Sequence, residues 1–332
     1  MRTTVLLVWG RVHALGRSTR STALLTILAI GAAAAIASSL APPARAAATP
    51  PPLKAGISDQ KHQVFADQRL RGLGLGYARR SVAWDALRYG YQRREIDAWM
   101  QATRGAGMEP LFTFARSRGS KRRHKPPSPG QLRRQFRRFR QRYPDVRTYS
   151  SWNEANHCGT GTCRRPALVA AYYRVIRRNC KGCTVLAADL NDHPNPVPWV
   201  RKFRRALGRE PSLWGYHNYI DANRLKSTLT RRLLRAVKGQ IWLTEVGGLI
   251  ARRNGSKQPM PQGRARAARA TRYIFDGLAR VSPRISRVYL YHWSATTRRD
   301  SWDSAFIAPG GQPRPSLAVF EEVLRERGTL RK

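Results

Sequence analysis

From residue 53 onward, eight short apolar runs alternate with longer stretches of helical apolar period. The runs are Leu53–Ser58, Tyr77–Trp84, Pro110–Ala115, Val146–Trp152, Thr184–Ala188, Leu213–Tyr219, Gln240–Glu245 and Arg287–Trp293. Their β-branched and aromatic content is that of buried strands. Between them apolar residues recur three or four apart, as in Leu132, Phe136, Phe139 and Tyr143; in Val197, Val200, Phe203 and Leu207; and in Leu225, Leu229, Leu233 and Val237. Such stripes are core-facing helix surfaces. Eight strand–helix units are the count of a closed barrel. An open doubly wound sheet also alternates, but its first strand runs into a Gly-rich phosphate turn. Here the glycines of Gly72-Leu73-Gly74-Leu75-Gly76 lead into the second strand, where they read as a helix stop and a turn. The expected fold is α/β, a single (β/α)8 TIM barrel after an N-terminal signal segment.

That segment is residues 1–47. It holds five arginines, no acidic residue, an Ala-rich apolar run from Ala23 to Ala41, and the small-residue pattern Ala44-Arg45-Ala46. These are the parts of a secretory signal peptide cleaved near Ala46. An uncleaved membrane anchor is the rival reading, and either sends residues 48–332 out of the cytoplasm. The expected location is therefore secreted or extracellular, wall-associated or anchored at its N-terminus. Four cysteines, Cys158, Cys163, Cys180 and Cys183, fall in one window. Their spacing suits zinc or disulfides, and export favours disulfides, with the local pairs as the expected pairing. The formal net charge is +43, with 52 arginines against 10 lysines. A GC-rich genome and attraction to a polyanion both account for that excess.

Only eight glutamates occur, and two of them, Glu154 and Glu245, close the fourth and seventh strand candidates. Active sites of such barrels lie at the carboxyl ends of the strands. Two carboxylates facing one cavity suit glycoside hydrolysis, in which one is protonated to assist the leaving group and the other attacks the anomeric carbon. Proximity pushes their pKa values apart and so sets the two roles.

Five motifs in this order resemble the clan A retaining glycoside hydrolases, a group that includes cellulase-like, xylanase-like and β-xylosidase-like enzymes. Trp152-Asn153-Glu154 is similar to the acid/base motif and Trp242-Leu243-Thr244-Glu245 to the nucleophile motif. Arg79 matches an arginine near the end of the second strand, His217-Asn218-Tyr219 a sixth-strand motif, and Trp293 an eighth-strand tryptophan floor. The resemblance implies an exported O-glycosyl hydrolase with Glu154 as acid/base and Glu245 as nucleophile. It implies that Arg79, Asn153, His217, Tyr219 and Trp293 bind substrate or align the carboxylates. No cofactor or metal ion is expected.

The implied partner is a polysaccharide or oligosaccharide. Two basic loops on the catalytic face, Arg116 to Pro129 and Leu249 to Pro261, extend the expectation to an anionic glycan; their rival reading is a solvated pair of loops. No specific nucleic acid and, after cleavage, no membrane is expected. A non-catalytic glycan-binding barrel and a secreted polyanion-binding protein are the alternative functions. His292, like His217, is a candidate to hydrogen-bond sugar hydroxyls or orient the carboxylates, with a satisfied core histidine as the rival reading, whereas Asp59, Asp85 and Asp221 lie near strand ends without an assigned role.

Overall fold

The computed structural model describes residues 53–119, 125–253 and 260–328. The signal segment, the basic stretch Lys121-Arg122-Arg123-His124 and Lys257 lie outside the described residues. Eight parallel strands form the barrel. They are Lys54–Ser58, Tyr77–Ala83, Glu109–Ala115, Thr148–Ser150, a fifth in two segments (Thr184–Leu186 and Asp189–Asn191), Leu213–His217, Gln240–Val246 and Ile285–Tyr291. The first strand pairs with the second and the eighth. Ring closure falls on the fifth strand, whose first segment pairs with the fourth strand and whose second pairs with the sixth. Ala187 and Ala188 bridge the segments by bonding to strand six, Ala187 N–H to Leu213 O and Gly215 N–H to Ala188 O.

The fifth strand thus runs three residues beyond the sequence expectation, and the fourth is trimmed at both ends. The sixth stops at His217, and Tyr219 opens a short helix, Tyr219–Arg224. The eighth stops at Tyr291, two residues short of Trp293.

An α-helix follows each strand, for example Gly90–Gly105, Pro129–Arg142, Val197–Leu207 and Pro315–Glu326. Local chemistry places their ends. Ser128 and Gln131 form a reciprocal capping box with Pro129 at the first helical position. The expected stripes Leu132–Phe136–Phe139 and Val200–Phe203 are buried between helices and strands. In the third stripe Leu233 and Val237 are buried, but Leu225 sits in a left-handed turn before the helix Thr228–Ala236.

Inside the barrel, Leu111, Leu186, Leu213, Trp242 and Tyr289 close one end as an apolar layer. The Arg287 guanidinium lies 3.8 Å from the ring centres of both Tyr77 and Trp242. Each large apolar side chain so buried contributes about 1.5–3 kcal/mol. The other end of the barrel interior is polar, and it carries the site.

Candidate active site

Arg79 is the hub of that polar end. It projects inward from the second strand, its side chain is wholly buried, and all four terminal N–H groups are committed. Nη1 donates to Glu245 Oε2 at 2.8 Å and to Ser58 Oγ at 3.0 Å; Nη2 donates to Asp189 Oδ2 at 2.6 Å and to Asn153 Oδ1 at 2.7 Å. One guanidinium therefore ties the first, second, fifth and seventh strands to the turn after the fourth. Burial alone pushes the Arg79 pKa down, but Asp189 and Glu245 outweigh it and hold the group charged.

Asp189, in the second segment of the fifth strand, carries no role in the sequence reading and is the largest omission from it. It is fully buried and accepts from Arg79, from Thr113 Oγ1 at 2.9 Å and from Ser150 Oγ at 2.8 Å. Despite burial, the Arg79 charge and the neighbouring His217 hold its carboxyl well below the usual carboxylate range. Its space exists because residue 215 is glycine: a Cβ there would lie 2.0 Å from Asp189 Oδ1.

Glu154 and Glu245 meet across this network. Glu245, the penultimate residue of the seventh strand, also accepts from Tyr219 Oη at 3.1 Å. Burial and the Glu245 charge push the Tyr219 phenol well above its usual pKa, so it remains a donor. Glu154 lies past the end of the fourth strand, in a turn where its φ is +46°. That left-handed conformation costs a non-glycine residue about 1–2 kcal/mol. It is held there by Asn191 Nδ2, which donates to Glu154 Oε1 at 2.9 Å, and by His217 Nδ1 at 3.2 Å from the same oxygen. The loop beyond it is stapled by Cys158–Cys163, and Cys180 pairs with Cys183, so none of the four cysteines offers a thiolate to a metal.

His217 is fully buried between the two carboxyl systems. Its Nε2 lies 3.5 Å from Asp189 Oδ2 and 3.2 Å from Arg79 Nη2. Because both Nη2 hydrogens already serve Asp189 and Asn153, Nε2 keeps its own proton toward Asp189. Burial favours neutral imidazole, but the Glu245 charge and the bonds to Asp189 and Glu154 push the His217 pKa up to about 9. The Glu154 carboxyl is pushed up by burial and pulled down further by the hydrogen bond and charge of His217, so it sits below its usual value.

Two cavities open on the carboxyl ends of the strands and share Glu154 and His157. The smaller, about 320 Å³, is lined by both glutamates and by Asn191, Asp192, Tyr219, Tyr291 and Trp302. The larger, about 760 Å³, spreads over the ends of the first four strands and reaches Asn153. Trp302 comes from a two-strand ribbon, Ala251–Arg252 with Trp302–Asp303, and meets Tyr219 edge-on with ring centres 4.6 Å apart.

The site thus brings together Arg79, Asn153, Glu154, His217, Tyr219 and Glu245. Trp293 does not join them. It is 1% exposed, lines neither cavity, and donates from Nε1 to Asp67 Oδ2 at 2.9 Å. With the eighth strand ending at Tyr291, Tyr291 rather than Trp293 faces the cavity, and Trp302 adds the second aromatic wall. His292 is likewise buried outside both cavities. The strand-end aspartates have local partners: Asp59 accepts the Trp293 N–H, Asp85 the Ser117 hydroxyl, and Asp221 the Leu229 and Thr230 N–H groups. Asp192, also unread in the sequence, lines the smaller cavity; burial pushes its pKa up to about 7.

Neither a family model nor a curated protein sequence matches this chain. Solved structures do. GH5_18 from Streptomyces cattleya, in complex with GlcNAc, aligns over 85% of this chain and 82% of its own at a TM-score of 0.63 and 13% identity. Fungal β-1,4-galactanase aligns over 81% of this chain and 99% of its own, with a TM-score of 0.59 and 13% identity. Xylanase 10B from Thermotoga maritima aligns over 83% and 95% respectively, at a TM-score of 0.57 and 11% identity. The likeness is one of fold: this chain carries the (β/α)8 barrel on which these glycoside hydrolases are built.

Proposed function

We propose that the protein is an exported retaining glycoside hydrolase acting on a polysaccharide or oligosaccharide. The observation that carries the reading is the placement of Glu154 and Glu245 in one cavity, joined through Arg79, Asp189 and His217. The structural neighbours, one of them solved with GlcNAc, support a sugar substrate. The leader sequence and the two disulfides support export.

Glu245 is the nucleophile. Arg79 and Tyr219 each donate a hydrogen bond to one of its two oxygens and hold the carboxyl in place to attack the anomeric carbon. Glu154 gives its proton to the glycosidic oxygen as the C–O bond breaks, and an ester to Glu245 forms. Glu154, now ionised, takes a proton from water; the water oxygen attacks the anomeric carbon and releases Glu245. Asn153 keeps its amide N–H groups for a sugar hydroxyl, since its oxygen is held by Arg79. Tyr291 and Trp302 supply the apolar ring faces first assigned to Trp293.

The test is a screen of polysaccharides and aryl glycosides. Glu245→Ala abolishes turnover, and added azide restores it as a glycosyl azide. Full activity of both Glu154→Gln and Glu245→Gln on a substrate the wild type cleaves would refute the assignment. Binding without cleavage would point instead to a glycan-binding barrel, and salt-sensitive DNA or heparin binding indifferent to both glutamates to a polyanion-binding protein.

A further inference from the structure

The larger cavity carries basic groups that the hydrolytic machinery does not use. Its lining includes Lys61, Arg80, Arg116 and Arg118 against two carboxylates, Glu95 and Glu154. Arg80 is 5% exposed, and among the described residues its one carboxylate partner is Glu95, at 3.3 Å. That carboxylate is shared with Arg118, which binds it more closely at 2.6 Å. Burial, only partly offset by Glu95 and opposed by Arg118, lowers the Arg80 pKa to about 10. Among the described residues, Arg116 bonds to the Gly159 carbonyl at 3.1 Å and forms no ion pair. Lys61 stands 3.8 Å from Asp59, whose other oxygen serves the Trp293 N–H. A buried or half-buried guanidinium is costly to leave with a fractional counter-charge. Two arginines on one carboxylate and a third without a carboxylate leave the cavity short of negative charge.

We propose that this cavity is the subsite for an anionic sugar, so that the substrate is a glycan bearing carboxylate or sulfate groups next to the bond at Glu154. The proposal rests on the glycoside hydrolase reading and deepens it. Arg116 and Arg118 bind the anion at the cavity rim, where their forked N–H groups match carboxylate and sulfate oxygens. Arg80 supplies charge from beneath. Glu154 lies at the junction of the two cavities, so a chain passing from one to the other presents its linkage to the acid/base.

The experiment compares matched substrates: a uronate-containing polysaccharide before and after reduction of its carboxyls to alcohols, and a sulfated polysaccharide before and after desulfation. The proposal expects the acidic member of one pair to be preferred at low salt, and the favoured pair identifies the anion. Arg116→Gln and Arg118→Gln each raise KM for the acidic member about fivefold to tenfold and leave KM for its neutral counterpart unchanged. Arg137→Gln, on the outer helix Pro129–Arg142, removes the same charge elsewhere and has no such effect. Equal turnover of both members, or an equal effect of Arg137→Gln, overturns the anionic subsite and leaves the hydrolase reading standing. If no substrate is cleaved, the hydrolase reading fails and the subsite is judged by calorimetric binding of the acidic oligosaccharides. Binding weakened by Arg116→Gln but not by Arg137→Gln supports it; absent binding, or equal weakening, refutes it.

Discussion

His217 ties the candidate chemistry to the stability of the whole barrel, and the link is measurable. Its side chain is fully buried, and its pKa is pushed from 6.5 up to about 9. A folded-state pKa above the unfolded one means that the imidazolium stabilises the native state fully below pH 6.5. That contribution drains away as pH rises through 9. At 1.36 kcal/mol per unit, the loss between pH 6.5 and 9 is on the order of 3 kcal/mol. The upward shift of Asp192 has the same sign but acts lower, between its ordinary 3.8 and about 7. The buried tyrosines with raised pKa values act only above pH 10. Urea unfolding from pH 6 to 10 separates these contributions when wild type is compared with His217→Gln. The wild type should lose about 3 kcal/mol more than the variant across that range, with the steepest divergence between pH 7 and 9. Parallel curves would show that His217 is neutral in the fold and would refute its charge-bearing place between Asp189 and Glu154.

Three further perturbations probe the same network. Asp189→Asn keeps the size of the side chain but removes one of the two carboxylates on Arg79; with Glu245 still in place, stability should fall by about 3 kcal/mol, the low end for a broken buried pair, and kcat should fall with it. Gly215→Ala forces a Cβ to 2.0 Å from Asp189 Oδ1, so denaturant midpoints should drop by the equivalent of about 1–3 kcal/mol and activity should be lost although residue 215 touches no substrate. Trp302→Ala removes the ring that meets Tyr219 and leaves both glutamates in place, so initial-rate kinetics should show KM raised about threefold to tenfold with kcat nearly unchanged.

The barrel was legible because parallel strands buried on both faces read as apolar runs, and the stripes between them keep a helical period. Glu154 and Glu245 were legible because a carboxylate at the end of such a run stands out against the apolar background. Asp189 was not. It follows two alanines, and a buried Asp after an apolar run reads as the start of a loop, yet the strand resumes there because Arg79, Thr113 and Ser150 satisfy the carboxylate. Those partners come from three other strands and leave no local trace. Asn191 was hidden for the same reason. Trp293 misled in the opposite sense: the resemblance makes it the floor of the site, but the chain leaves the sheet after Tyr291 and buries the indole against Phe306. Trp302 owes its place to pairing between two loop segments, a contact no local pattern encodes.

The electrostatics of the pair raise one demand that the network itself answers. In the proposed mechanism Glu154 is the general acid and must carry a proton, yet the free site holds it ionised beside a charged His217. The missing proton is one hydrogen bond away, on Nδ1, 3.2 Å from Glu154 Oε1. The Glu154 side chain is 25% exposed and the His217 side chain 0%. A bound sugar therefore strips water from the carboxylate but not from the imidazole, and desolvation shifts the proton toward Glu154. Once Glu245 is esterified, the charge that does most to favour the imidazolium is gone. Glu154, having spent its proton on the leaving group, then faces a neutral imidazole and can take a proton from water. Hydrolysis of the ester restores the Glu245 charge and draws that proton back to His217. On this account the carboxyl alternates between acid and base because the nucleophile's own charge appears and disappears with each half-reaction, and Arg79, Asp189 and His217 are the fixed frame through which Glu154 senses it.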